Sequence, residues 1–110
     1  YPERVDAISD TLDFYTLGEL SFFAPNLENT PCLRLAMDAA RTGGTAACVM
    51  SAANEEAVHM FLDGRLGYNR IYDCAAAAVE AVGVVHDADL DAILEADAAA
   101  RRFVRENYGA

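Results

Sequence analysis

Pro31-Cys-Leu-Arg-Leu-Ala-Met-Asp-Ala-Ala-Arg-Thr-Gly-Gly-Thr-Ala-Ala-Cys-Val-Met-Ser-Ala-Ala-Asn-Glu-Glu-Ala-Val-His-Met-Phe-Leu62 is the stretch that decides the fold. Its grammar is helix, break, helix. Thr30 stands at an N-cap position and Pro31 at the first helical one, where a missing N–H is no loss. Leu33, Met37 and Ala40 form an apolar stripe, broadened by Leu35 and Ala36, with Arg34, Asp38 and Arg41 facing outward. Gly43-Gly44 ends this helix by permitting positive φ after the last turn. Thr45 then caps a short apolar helix from Ala46 to about Ala52. Ser51 or Asn54 could each start the next helix, and Asn54 is favoured, with Glu55 and Glu56 in the first turn, where carboxylates meet the positive end of the helix dipole. Val58, Phe61 and Leu62 supply its apolar face, and Gly64 and Gly67 close it.

Working outward toward the C-terminus, Asn69 caps a third long helix. Ile71, Cys74, Ala75, Ala78, Val79 and Val82 lie at helical spacing, and Gly83 ends it. A last helix runs from about Asp89 to Asn107, with Leu90, Ile93, Leu94, Ala100, Phe103 and Val104 recurring at three-four spacing and Asp97–Arg101 as an i,i+4 pair. Toward the N-terminus the pattern breaks down. Pro2, Gly18, Pro25 and Asn26 punctuate residues 1–29, and Leu12, Phe14, Leu17, Leu20, Phe22 and Phe23 show no helical period. Leu20-Ser21-Phe22-Phe23 reads as a short strand or an extended arm. Either this arm wraps the helices behind it or it docks on a domain outside the chain. The expected fold is all-α: a small four-helix bundle over residues 30–110 with an extended N-terminal arm over residues 1–29.

Composition agrees with that class. The chain has 110 residues, enough for one domain, and 54% of them are hydrophobic, many being alanine, which favours helix and close helix–helix approach. The formal net charge is −10, and all eight basic residues are Arg. So acidic a chain is not expected to bind nucleic acid or an anionic membrane surface, both of which require positive charge. No apolar run reaches the length of a membrane span. Tyr1-Pro2-Glu3-Arg4 lacks the basic-then-apolar pattern of a signal peptide and an initiator Met, so the expectation is a processed or excised piece. Three cysteines, Cys32, Cys48 and Cys74, match no zinc spacing and read as small buried hydrophobes in a reducing cytoplasm.

No motif carries a complete chemistry. Glu56-Ala-Val-His59 places a carboxylate and an imidazole on one helix face, but a di-iron bundle uses two such motifs plus two further Glu. His86, the other histidine, has Gly83 at the matching position. Neither histidine is set beside a cysteine and a third polar residue as nucleophilic catalysis requires. Gly43-Gly44-Thr45 precedes a helix but lacks the patterns of phosphate-binding loops and reads as a turn. Asp87, Asp89 and Asp91 lack the Gly and Glu of a calcium loop and read as a helix start.

Four segments in order resemble one family. Tyr1-Pro2-Glu3-Arg4-Val5 looks like the end of a linker. Leu12-Asp13-Phe14 and Leu20-Ser21-Phe22-Phe23-Ala24-Pro25 resemble a linker-to-bundle arm. Pro31-Cys32-Leu33-Arg34-Leu35-Ala36 and Ala52-Ala53-Asn54-Glu55 resemble the first helix and an Asn-Ala-Ala-Asn-Glu segment, with Ser51 standing where the family usually has Asn. Asp97-Ala-Ala-Ala100-Arg101 resembles the Asp-x-x-Ala-Arg of the final helix. Together they are similar to the C-terminal helical domain of 1-deoxy-D-xylulose 5-phosphate reductoisomerase. That resemblance implies an enzyme using NADPH and a divalent metal, Mg or Mn, to form 2-C-methyl-D-erythritol 4-phosphate in isoprenoid biosynthesis. It also implies that the Gly-rich cofactor loop, the metal ligands and the phosphate-holding residues lie upstream. No catalytic, cofactor-binding or metal-binding residue is carried over to this chain, which is expected to be inactive alone. Its implied partners are the NADPH-binding and catalytic domains, with self-association of the fragment through the arm. Two other readings stay open: a free-standing acidic helical interaction module, and a metal bundle built on Glu56 and His59.

Overall fold

The computed structural model describes residues 3 and 9–109. The reading of Tyr1–Val5 as a linker end therefore falls outside the described residues, except at Glu3. Among the described residues the chain is all helical: α1 (Phe14–Leu17), α2 (Pro31–Thr42), α3 (Ala46–Leu62), α4 (Arg70–Val82) and α5 (Leu90–Tyr108). The last four form the expected bundle. α1 is a single turn that the sequence did not announce. Asp13 caps it by accepting from the Tyr15 N–H at 2.9 Å and the Thr16 hydroxyl at 2.7 Å, and Gly18 ends it at φ +74°. Leu20–Phe23 forms no strand.

α3 is the central helix. It packs on α2, α4 and α5, while α2 touches α3 and α4 but not α5. α2 and α5 thus flank the α3–α4 pair on opposite sides. The core is built from small residues: Ala52, Ala53 and Ala57 of α3, Cys74, Ala75 and Ala78 of α4, and Ala96 and Ala100 of α5, with Val49, Met60, Ile71 and Val104 filling between them. Alanine faces let helix axes approach closely, and the few large side chains occupy the remaining space.

Four local expectations are corrected. First, α3 runs unbroken from Ala46 to Leu62. Ser51 and Asn54 are good caps in isolation, but no Gly or Pro separates them, and continuing the helix buries Ala52, Ala53 and Ala57 in one face. Second, α2 buries the other stripe. Ala39 is buried and Cys32, Leu35 and Ala36 are half-buried, whereas Leu33, Met37 and Ala40 face outward. Third, Phe61 and Leu62 on α3, and Leu90, Ile93 and Leu94 on α5, lie largely outside the core, which takes Met60 and Ala96 instead. Fourth, Thr30, Thr45 and Asn69 stand before their helices without a side-chain capping bond. Asp89 does cap α5, accepting from the Ala92 N–H at 2.9 Å.

The two displaced threonines have other partners. Thr30 donates its hydroxyl to the Asn26 carbonyl at 2.7 Å, closing a turn in which the Asn26 side chain accepts from Glu28 and Asn29 N–H groups. That turn fixes how the arm enters the bundle. Thr45 is buried and clamps the α2–α3 loop to the α4–α5 loop. Its N–H donates to the Val85 carbonyl at 3.1 Å, and its hydroxyl accepts from the Val85 N–H at 3.0 Å. Gly44 makes this approach possible. It sits at φ +54°, and a Cβ there would collide with the Val85 carbonyl. The clamp puts the end of α2, the start of α3, the end of α4 and the start of α5 together at one end of the bundle. The arm enters at the other.

Candidate functional site

The arm is the most conspicuous surface of the molecule. Phe22 and Phe23 are each 88% exposed, Tyr15 is fully exposed, and Leu12, Phe14 and Leu20 are mostly so. α1 makes no contact with any other helix. Apolar groups exposed in this number are of the kind that marks an interaction surface.

Two clefts lie at the ends of the bundle. The one at the arm end, about 540 Å³, is lined by Cys32, Asn54, Val58, Tyr68, Asn69 and Tyr72 among others. The one at the clamp end, about 490 Å³, lies beside Thr45, Val82 and Val85 and is edged by Asp91 and Glu95. Sequence reasoning took Asn54 and Asn69 for helix caps. The structure places Asn54 within α3 and leaves Asn69 at the N-cap position of α4 without a capping bond, and both line the first cleft.

Glu55 and Glu56 are mid-helix, not in a first turn, and their role is different. They brace α3 to α5. Arg101 donates to Asp97 on its own helix at 2.8 Å and to Glu55 across the interface, while Arg105 donates to Glu56 at 2.9 Å. Its hydrogen bonds to Asp97 and then to Glu55 hold the Arg101 guanidinium protonated well beyond its ordinary range. These groups remain in contact with solvent, so each pair contributes at most about 1 kcal/mol, less in salt. The partners are 46 and 49 residues apart in sequence.

The other motifs are absorbed by structure. Glu56 is turned to Arg105 and is 13% exposed, while His59 faces solvent, so the two do not converge. Among the described residues no three potential ligands gather as a metal would need. The Thr45 N–H is taken by the Val85 carbonyl, and its hydroxyl, which accepts from the Val85 N–H, is buried, so the Gly43-Gly44-Thr45 turn presents neither group to a phosphate. Asp87 adopts φ +54° in the turn before the Asp89 cap. Cys74 is buried and Cys32 and Cys48 are half-buried, and burial pushes all three thiols up from their ordinary pKa. Elevated thiols are poor nucleophiles. No described helix is long and apolar enough to cross a membrane.

A model of the DXP reductoisomerase C-terminal domain matches residues 1–103. This chain belongs to that family. Its members include the 1-deoxy-D-xylulose 5-phosphate reductoisomerase of Aromatoleum aromaticum, 49% identical over 105 residues, which cover 96% of this chain and 26% of that protein. The corresponding protein of Heliobacterium modesticaldum is 47% identical over 109 residues, 99% of this chain and 28% of that one. Among solved structures, 1-deoxy-D-xylulose 5-phosphate reductoisomerase from Zymomonas mobilis in complex with NADPH superposes on the whole chain with a TM-score of 0.82 at 31% identity. The match uses 29% of that structure's chain. The DXP reductoisomerase C-terminal domain thus spans about a quarter of the length of the curated relatives it matches, and the helical fold read from the sequence is the fold of the family.

Proposed function

We propose that this chain is the non-catalytic C-terminal domain of an NADPH-dependent enzyme that converts 1-deoxy-D-xylulose 5-phosphate to 2-C-methyl-D-erythritol 4-phosphate. The observation that carries the reading is the bare aromatic arm on a bundle with no converged catalytic group among its described residues. A domain whose largest apolar side chains stand in water is built to be covered. Its relatives, three to four times longer, supply the body that would cover it. In this reading residues 1–29 are the linker arm from the catalytic domain and residues 30–110 the bundle. NADPH and a Mg or Mn ion belong to the remainder of the polypeptide, and the enzyme works in the cytoplasm. Separated from that remainder, the chain self-associates through its arm.

The test is turnover. Mixed with NADPH, Mg²⁺ and 1-deoxy-D-xylulose 5-phosphate, the 110-residue chain leaves absorbance at 340 nm unchanged, whereas the longer polypeptide carrying it consumes NADPH. Turnover by the chain alone, or none by the longer polypeptide, overturns the reading.

A further inference from the structure

We draw no further inference here: the strongest candidate, the clamp-end cleft whose apolar wall beside Val82 and Val85 is edged by the Asp91 and Glu95 carboxylates of α5, is an acidic pair into which no unpartnered buried polar side chain is set among the described residues, so nothing in the structure shows what would occupy it.

Discussion

Gly44→Ala should strongly destabilise the bundle. Gly44 holds φ +54°, a region that costs an L-residue about 1 kcal/mol, and its added Cβ would strike the Val85 carbonyl and approach Val84 Cγ1 at 3.0 Å. The obstacle is backbone, so the loop must retreat. Retreat breaks the Thr45–Val85 clamp, whose two hydrogen bonds at 3.0 and 3.1 Å contribute about 1 kcal/mol each. The combined loss is about 3 kcal/mol, equivalent to a fall in Tm of roughly 10–20 °C for a domain of this size. Gly64→Ala is the matched control. Gly64 is also at positive φ, +74°, but nothing lies within 4 Å of its missing Cβ, so only the backbone cost of about 1 kcal/mol applies. Urea denaturation of both variants by circular dichroism measures the difference. If Gly44→Ala is no more destabilised than Gly64→Ala, the two loops are not clamped as described.

Other consequences can be checked on the isolated chain. Asp89→Ala should cost about 1 kcal/mol through loss of its bond to the Ala92 N–H, while Asn69→Ala, which removes no cap bond, should stay within about 0.5 kcal/mol in the same denaturation assay. Burial raises the folded-state pKa of all three cysteines above the ordinary 9.0, so their contribution is whole below that value and is lost as pH rises through the folded pKa. Stability should therefore fall above about pH 9, and a urea midpoint that climbs there contradicts the burial of the thiols. Phe22→Ser with Phe23→Ser should change stability by less than about 0.5 kcal/mol, because both rings stand in water, yet reduce self-association in sedimentation velocity. A large loss of Tm would mean that the arm packs on the bundle.

The buried face of α4 was legible from its sequence. Its apolar positions Ile71, Cys74, Ala75 and Ala78 follow one period, bracketed by Asn69 and Gly83, and all four are buried. α2 was legible as a helix but not in its orientation. Two stripes about a hundred degrees apart compete on it, and size pointed to Leu33 and Met37. The bundle instead buries Ala39 with Leu35 and Ala36 half-covered, because a small-residue face lets α2 approach an alanine-lined neighbour. The continuity of α3 was hidden for a related reason. Ser51 and Asn54 carry local capping tendencies, and only tertiary burial of Ala52, Ala53 and Ala57 outweighs them. The Glu55–Arg101 and Glu56–Arg105 braces join residues on two helices and have no local signature. For the same reason the arm-end cleft was invisible: its wall draws on the arm, α2, α3, the α3–α4 loop and α4, and only folding brings Asn29, Cys32, Asn54 and Asn69 together. The arm was the reverse case. Its aromatics without period were plain in the sequence, and their exposure is what the structure adds.

The central claim is that this bundle and its arm function as one part of a longer enzyme. The most direct measurement is the intact mass of the native protein, captured from its source cells with an antibody against the bundle. The account predicts a species three to four times heavier than 11.8 kDa, in line with relatives of which this chain covers 26–28%. A native species of 11.8 kDa would contradict it and return the chain to the class of free-standing interaction modules.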